Sequence, residues 1–79
     1  MMDKAITEYL VVFEQTPNNW GAYSPDVPGC VATGKTRDET LARFREALEF
    51  HFDGLRRQGL PVPLPVSSAG YVVIETPDH

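Results

Sequence analysis

A single cysteine, Cys30, leaves no partner for an internal disulfide, and two histidines, His51 and His79, are too few and too far apart for a spaced metal-ligand pattern. Basic residues are also scarce. Seven Lys and Arg stand against eleven Asp and Glu, giving a formal net charge of -4, so the chain repels a phosphate backbone and favours a basic protein partner over nucleic acid. Long apolar runs are missing too. The longest, Leu10–Phe13 and Tyr71–Ile74, fall far short of the roughly 20 residues that span a bilayer, so no membrane segment is expected. The N-terminus, MMDKAITEYL, has no basic stretch leading into an apolar core and a small-residue cleavage site, which reads as a cytoplasmic protein.

What is present is ordinary globular composition: 42% hydrophobic and 10% aromatic over 79 residues, enough for one domain, 1–79, with a small core. Residues 5–15 alternate, with Tyr9, Val11 and Phe13 on one face and Leu10 and Val12 on the other, and so predict a strand with apolar side chains on both faces. Thr16-Pro17-Asn18-Asn19 supplies a turn, and Trp20–Ser24 returns as the second strand of a hairpin. Tyr23 closes that strand, and Pro25-Asp26-Val27-Pro28-Gly29 breaks pairing. Cys30–Lys35 then makes a third strand, whose small residues Cys30, Ala32 and Gly34 share one side and invite close packing.

Thr36 and Glu39 match a capping box that starts a helix over about residues 37–58. Its stripe is Leu41, Phe44, Leu48, Phe52 and Leu55, with Arg56 and Arg57 in the last turn and Gly59 after it. Pro61, Pro63 and Pro65 carry the chain in an extended crossover to Tyr71–Thr76. That segment is β-branched and apolar on both faces, as a parallel inner strand is. Right-handed crossover places it beside the first strand. The expected fold is α+β, in the order β-β-β-α-β, with four strands and one helix on one face. One helix cannot cover both apolar faces, so a homo-oligomer, a dimer or tetramer, is expected.

Few residues suggest chemistry. Cys30 lacks a Cys-x-x-Cys partner and any flanking cation that would activate its thiol, and reads as a small buried strand residue. Asp26, Cys30 and His51 can be drawn as a triad only in the way that any sequence with such residues permits. The acids Glu8, Glu14, Glu46, Glu49 and Glu75 are not aimed at one place by strand and helix phase, as a two-metal nuclease site requires. No catalytic residue, metal or cofactor is expected. Phe50 is the exception to a bland surface: it faces outward among Arg43, Glu46 and Arg57. Incidental exposure and a partner contact both remain open for it, and these four are the candidate partner-binding residues.

The stretch YSPDVPGCVATGKTRDETLARFREALEFHF, Tyr23–Phe52, resembles the signature of HicB-type antitoxins and the related stand-alone HicB-like proteins. Its parts are Pro25-Asp26-x-Pro28-Gly29-Cys30, a strand ending at Gly34, a helix capped by Thr36 and Glu39, and a Glu-Ala-Leu-Glu core. The resemblance implies a partial ribonuclease H-like fold without the nuclease's catalytic acids. It implies a non-enzymatic, oligomeric module that neutralises a small basic HicA-type mRNA interferase by covering its RNA-binding surface. Many such antitoxins carry a second, DNA-binding domain. Here the sequence stops at His79 directly after the last expected strand, so operator binding is not carried over. Two alternatives stand beside this reading: an RNA-binding or residual nuclease domain of ribonuclease H descent, and a self-assembling regulatory protein without a toxin.

Overall fold

The computed structural model describes residues 7–77. Three short strands, β1 (Val12–Gln15), β2 (Trp20–Tyr23) and β3 (Val31–Gly34), form an antiparallel sheet in the order β1-β2-β3, and one helix, α1 (Arg37–Arg57), packs against it. Thr16 closes the first turn: its backbone N–H donates to Asn19 O at 2.8 Å, and its hydroxyl donates to the same carbonyl at 3.0 Å. The hairpin register follows, with Val12 opposite Tyr23 and Gln15 opposite Trp20. β2 is shared, since Tyr23 also faces Val31.

The first strand is shorter than its alternation predicts. Its ladder begins at Val12 because β2 ends at Tyr23, and Pro25, two residues further, has no N–H to extend the pairing. Residues 7–11 therefore continue without a ladder; Ala5 and Ile6, read as the strand's start, lie outside the described residues. Tyr9 and Val11 still pack on the core, with the Tyr9 ring 5.2 Å from that of Phe52.

The core consists of Ala22, Val27, Cys30, Phe44 and Phe52. Val27 is buried because the 24–30 connection folds inward on itself: Val27 N donates to Ser24 O and Cys30 N to Val27 O. Gly29, with φ of 84°, lies in the left-handed region and finishes that turn.

The alternation read for β3 is visible in its burial. Cys30 and Gly34 are buried, Ala32 is half-buried, and Val31 and Thr33 face out. Gly34 marks where the helix comes closest. A Cβ there would stand 2.6 Å from Thr40 Oγ1 and 3.0 Å from Thr40 N. The hydroxyl cannot swing away freely, because it donates to Thr36 O at 2.7 Å. Gly34→Ala should therefore cost about 1–3 kcal/mol of stability through overpacking. Adding Thr40→Ala should recover part of that loss in urea denaturation, since the nearest obstacle is then gone.

The helix begins as the Thr36 cap predicts, with its Oγ1 accepting from Glu39 N at 3.1 Å. The reciprocal arm of the capping box is shifted by one residue: Glu39 Oε1 accepts from Lys35 N at 2.8 Å, not from Thr36 N. At the other end Gly59 N donates to Arg56 O and Leu60 N to Leu55 O, closing a Schellman motif. The buried stripe is rotated from the expected one. Phe44 and Phe52 are buried together with Thr40, while Leu41 is 42% exposed. The close approach at Gly34 turns Thr40 toward the sheet and moves Leu41 to the flank.

The expected fourth strand is absent from this sheet. Tyr71–Thr76 has no secondary structure and lies exposed, so the four-stranded arrangement gives way to a three-stranded α+β unit with an extended C-terminal segment. Apolar character on both faces signals that a segment needs neighbours, but it does not say that they belong to the same chain. Among the described residues no helix is long and apolar enough to cross a membrane.

Candidate functional site

Two surfaces flank the helix. On the β3 side, Phe50, Ala47 and His51 of α1 face Gly29, Cys30 and Val31 across a shallow groove of about 520 Å³. Phe50 is 82% exposed and Val31 68%, which makes an apolar pair at the rim. Helical phase places Arg43, Glu46, Phe50 and Arg57 within about 60° of one another on α1. The two arginines are tied down locally. Arg43 Nη1 donates to Thr33 O at 3.2 Å and its Nη2 lies 3.8 Å from Glu39 Oε1, while Arg57 Nε lies 3.0 Å from Asp53 Oδ2.

On the β1 side a second groove, of about 730 Å³, runs between α1 and the chain leading into β1, and Tyr9, Val11, Leu41, Leu48 and Val62 are among its walls. The crossover enters there. Tyr9 OH donates to Pro63 O at 2.6 Å and fixes the proline segment against the body.

Cys30, on the β3 side, and Asp26 are the two residues of the drawn triad whose surroundings bear on chemistry. Burial pushes the Cys30 thiol up from its ordinary value, which disfavours the nucleophilic thiolate. Asp26 does not join Cys30 and His51 in a relay, because its carboxylate serves the crossover. Oδ2 accepts from Val66 N at 3.2 Å and Ser67 N at 3.1 Å, and Oδ1 accepts from the Ser67 hydroxyl at 2.7 Å. Among the described residues no three His, Cys, Asp or Glu side chains are placed to hold a metal ion.

The Asp26 clamp has a pH signature. The Ser67 hydroxyl bond, with the two backbone donors, holds the carboxyl below its ordinary value of 3.8 despite some desolvation. A lowered folded-state value means that the clamp contributes fully above the ordinary carboxylate range and is lost as pH falls through the lowered value. The Val66 and Ser67 amide resonances should therefore titrate together with a midpoint below 3.8, while α1 amides stay unmoved. Asp26→Asn should raise amide exchange at Val66 and Ser67 already at neutral pH. The sequence reading places Asp26 in the structural turn motif and does not foresee its bonds to Val66 and Ser67; the signal was its position between two prolines with an unspent carboxylate.

A three-stranded sheet under one helix, with an apolar groove on each side of that helix, defines a small α+β module. The family profile described as "HicB_like antitoxin of bacterial toxin-antitoxin system" matches residues 9–79. The chain belongs to this HicB-like antitoxin family. It is 35% identical over 69 residues to Antitoxin HicB 2 of Photorhabdus laumondii subsp. laumondii, a match covering 87% of this chain and 49% of that protein. An uncharacterised protein from the rep-hol intergenic region of Haemophilus phage HP1 is 31% identical over 55 residues, covering 70% of this chain and 41% of its own. A UPF0150 protein of Helicobacter pylori is 35% identical over 49 residues, covering 62% and 68%. The chain thus spans about half the length, or less, of the first two relatives. No solved structure matches.

Proposed function

We propose that this chain is the toxin-neutralising part of an antitoxin, acting by binding and not by catalysis. It would cover the RNA-binding surface of a small basic HicA-type mRNA interferase in the cytoplasm. Family membership over residues 9–79 is the observation that carries this reading. The chemistry of the surface agrees with it. An acidic protein of net charge -4 attracts a basic partner, and the Phe50 and Val31 rim offers an apolar contact inside that field. Both arginines of the Phe50 face are engaged by neighbouring groups, which leaves Glu46 to set the charge that a basic partner meets. The ribonuclease H-like four-stranded sheet implied by the family resemblance belongs to the same proposal, with the fourth strand supplied on assembly.

The test is co-expression with a small basic reading frame found adjacent to this gene, followed by titration of the purified pair; absence of such a frame would favour the self-assembling reading. Growth arrest by that frame should be relieved by this chain, and affinity should fall as salt rises because the encounter is between opposite charges. Rescue without direct binding, or binding of RNA by this chain alone, would replace the proposal with the nucleic-acid reading.

A further inference from the structure

The segment after the Asp26 clamp does not behave like the rest of the chain. Tyr71, Val72, Val73 and Ile74 are 101%, 85%, 97% and 71% exposed, four consecutive apolar residues that rest on nothing in their own body. The molecule is correspondingly long, 59 × 27 × 23 Å, with a radius of gyration of 16.0 Å against about 12 Å expected for a compact chain of this length. Such a strand-forming run does not persist in water without a partner, because its apolar side chains and unpaired backbone groups invite pairing.

The root of this arm is firm. Asp26 holds Val66 and Ser67 through three hydrogen bonds, and Tyr9 holds Pro63, so the chain is fixed up to Ser67 and then departs through Ser68-Ala69-Gly70. A complementary acceptor exists on the same molecule. β1 is an outer strand with only β2 beside it, and the apolar groove between its approach and α1 lies open along that edge. The other outer strand, β3, is less receptive: Arg43 already donates to its Thr33 carbonyl. Among the described hydrogen bonds no side chain donates to a carbonyl of β1.

We infer that Tyr71–Ile74 of one copy docks as an added strand on the β1 edge of a second copy, roofing the groove formed by Tyr9, Val11, Leu41 and Leu48. Arm and groove occur once in each chain, so a two-fold pair exchanges two arms and leaves neither groove nor arm unfilled. The arm then occupies, in the partner, the place beside β1 that right-handed crossover assigns to it. Exchange joins the two observations that a lone chain leaves apart: an apolar strand with no sheet and a sheet edge with no strand.

Sedimentation of the full chain across a concentration series should give a reversible dimer. In a sample mixing isotope-labelled and unlabelled chains, isotope-filtered NOEs should connect the methyls on the groove-facing side of the arm, those of Val73 or those of Val72 and Ile74, in one chain with Tyr9, Val11 and Leu41 of the other. Successive strand N–H groups point to opposite sides, so one of Val72→Pro and Val73→Pro must delete a ladder bond. At least one should raise the dimer Kd tenfold or more with helical circular dichroism unchanged, since the arm contributes nothing to the body's own core. A monomeric parent, a dimer indifferent to both prolines, or NOEs that run only within one chain or only between the two arms would each overturn the inference. No toxin is present in this experiment, so its failure removes the fourth strand supplied on assembly and leaves the toxin-binding reading standing.

Discussion

Phe44→Ala should lower the unfolding free energy by about 3–5 kcal/mol, the range for emptying a buried aromatic site. Phe44 is 0% exposed and sits at the centre of a core whose other buried members are Ala22, Val27, Cys30 and Phe52. Two of these are small, and Ala22 lies on a strand that the ladder holds in place while Cys30 directly precedes β3, so the walls have little freedom to collapse into the vacated space. A domain of 79 residues has a total stability of roughly 4–12 kcal/mol, so this one change consumes a large share of it. Chemical denaturation followed by circular dichroism should show the midpoint falling steeply, and at the low end of that range the variant is largely unfolded even without denaturant. Phe44→Leu should lose less than about 1.5 kcal/mol, because most of the volume stays. Phe50→Ala, at a site 82% exposed, should change stability by no more than about 0.5 kcal/mol.

That contrast between two phenylalanines six residues apart was legible in the sequence, because helical phase turns them about 120° apart around α1 and takes Phe50 off the core stripe. The start and end of the helix were equally legible: the Thr36 hydroxyl and the Gly59 turn are local devices, and local devices can be read one residue at a time. The burial of Thr40 was not. It follows from the absence of a side chain at Gly34, which lets the helix N-terminus settle against β3 and turns a polar residue inward with its hydroxyl satisfied by Thr36 O. A pattern search that scores only apolar residues passes over it and selects Leu41 in its place. Val27 was hidden for a related reason, since two prolines and a glycine around it signal a turn, and only the folded turn shows that its one branched side chain points into the core.

The candidate surfaces divide along the same line. The outward position of Phe50 is a property of one helix and needs no tertiary information. The second groove and the clamp need contacts between residues 40 or more apart, Asp26 with Val66 and Ser67 and Tyr9 with Pro63, and no periodicity encodes these. The fourth strand is the sharpest case. Residues 71–76 carry the composition of an inner strand, and the four apolar ones among them are exposed in the single chain. Composition states what a segment must be buried against in kind, and leaves open which molecule provides it.

Phe50→Ala should weaken toxin binding by about 30-fold, the equivalent of about 2 kcal/mol, if the β3 side of α1 is the contact face. Three features of the site set this size. The ring is almost wholly available, it stands beside exposed Val31 at the rim of a groove, and the cations around it are held by Thr33 O, Glu39 and Asp53 and so do not repel a basic partner at full strength. Because the ring contributes little to the fold, the loss should appear as faster dissociation from an intact protein and not as a smaller folded fraction. Glu46→Gln should act differently, slowing association and flattening the salt dependence, because an exposed rim charge guides the encounter more than it holds the complex. Titration calorimetry and stopped-flow binding on the two variants separate these effects. Unchanged affinity for Phe50→Ala with unchanged melting would move the contact to the β1 side, where the same groove that accepts an exchanged arm would have to be shared with the toxin, and binding would then compete with assembly.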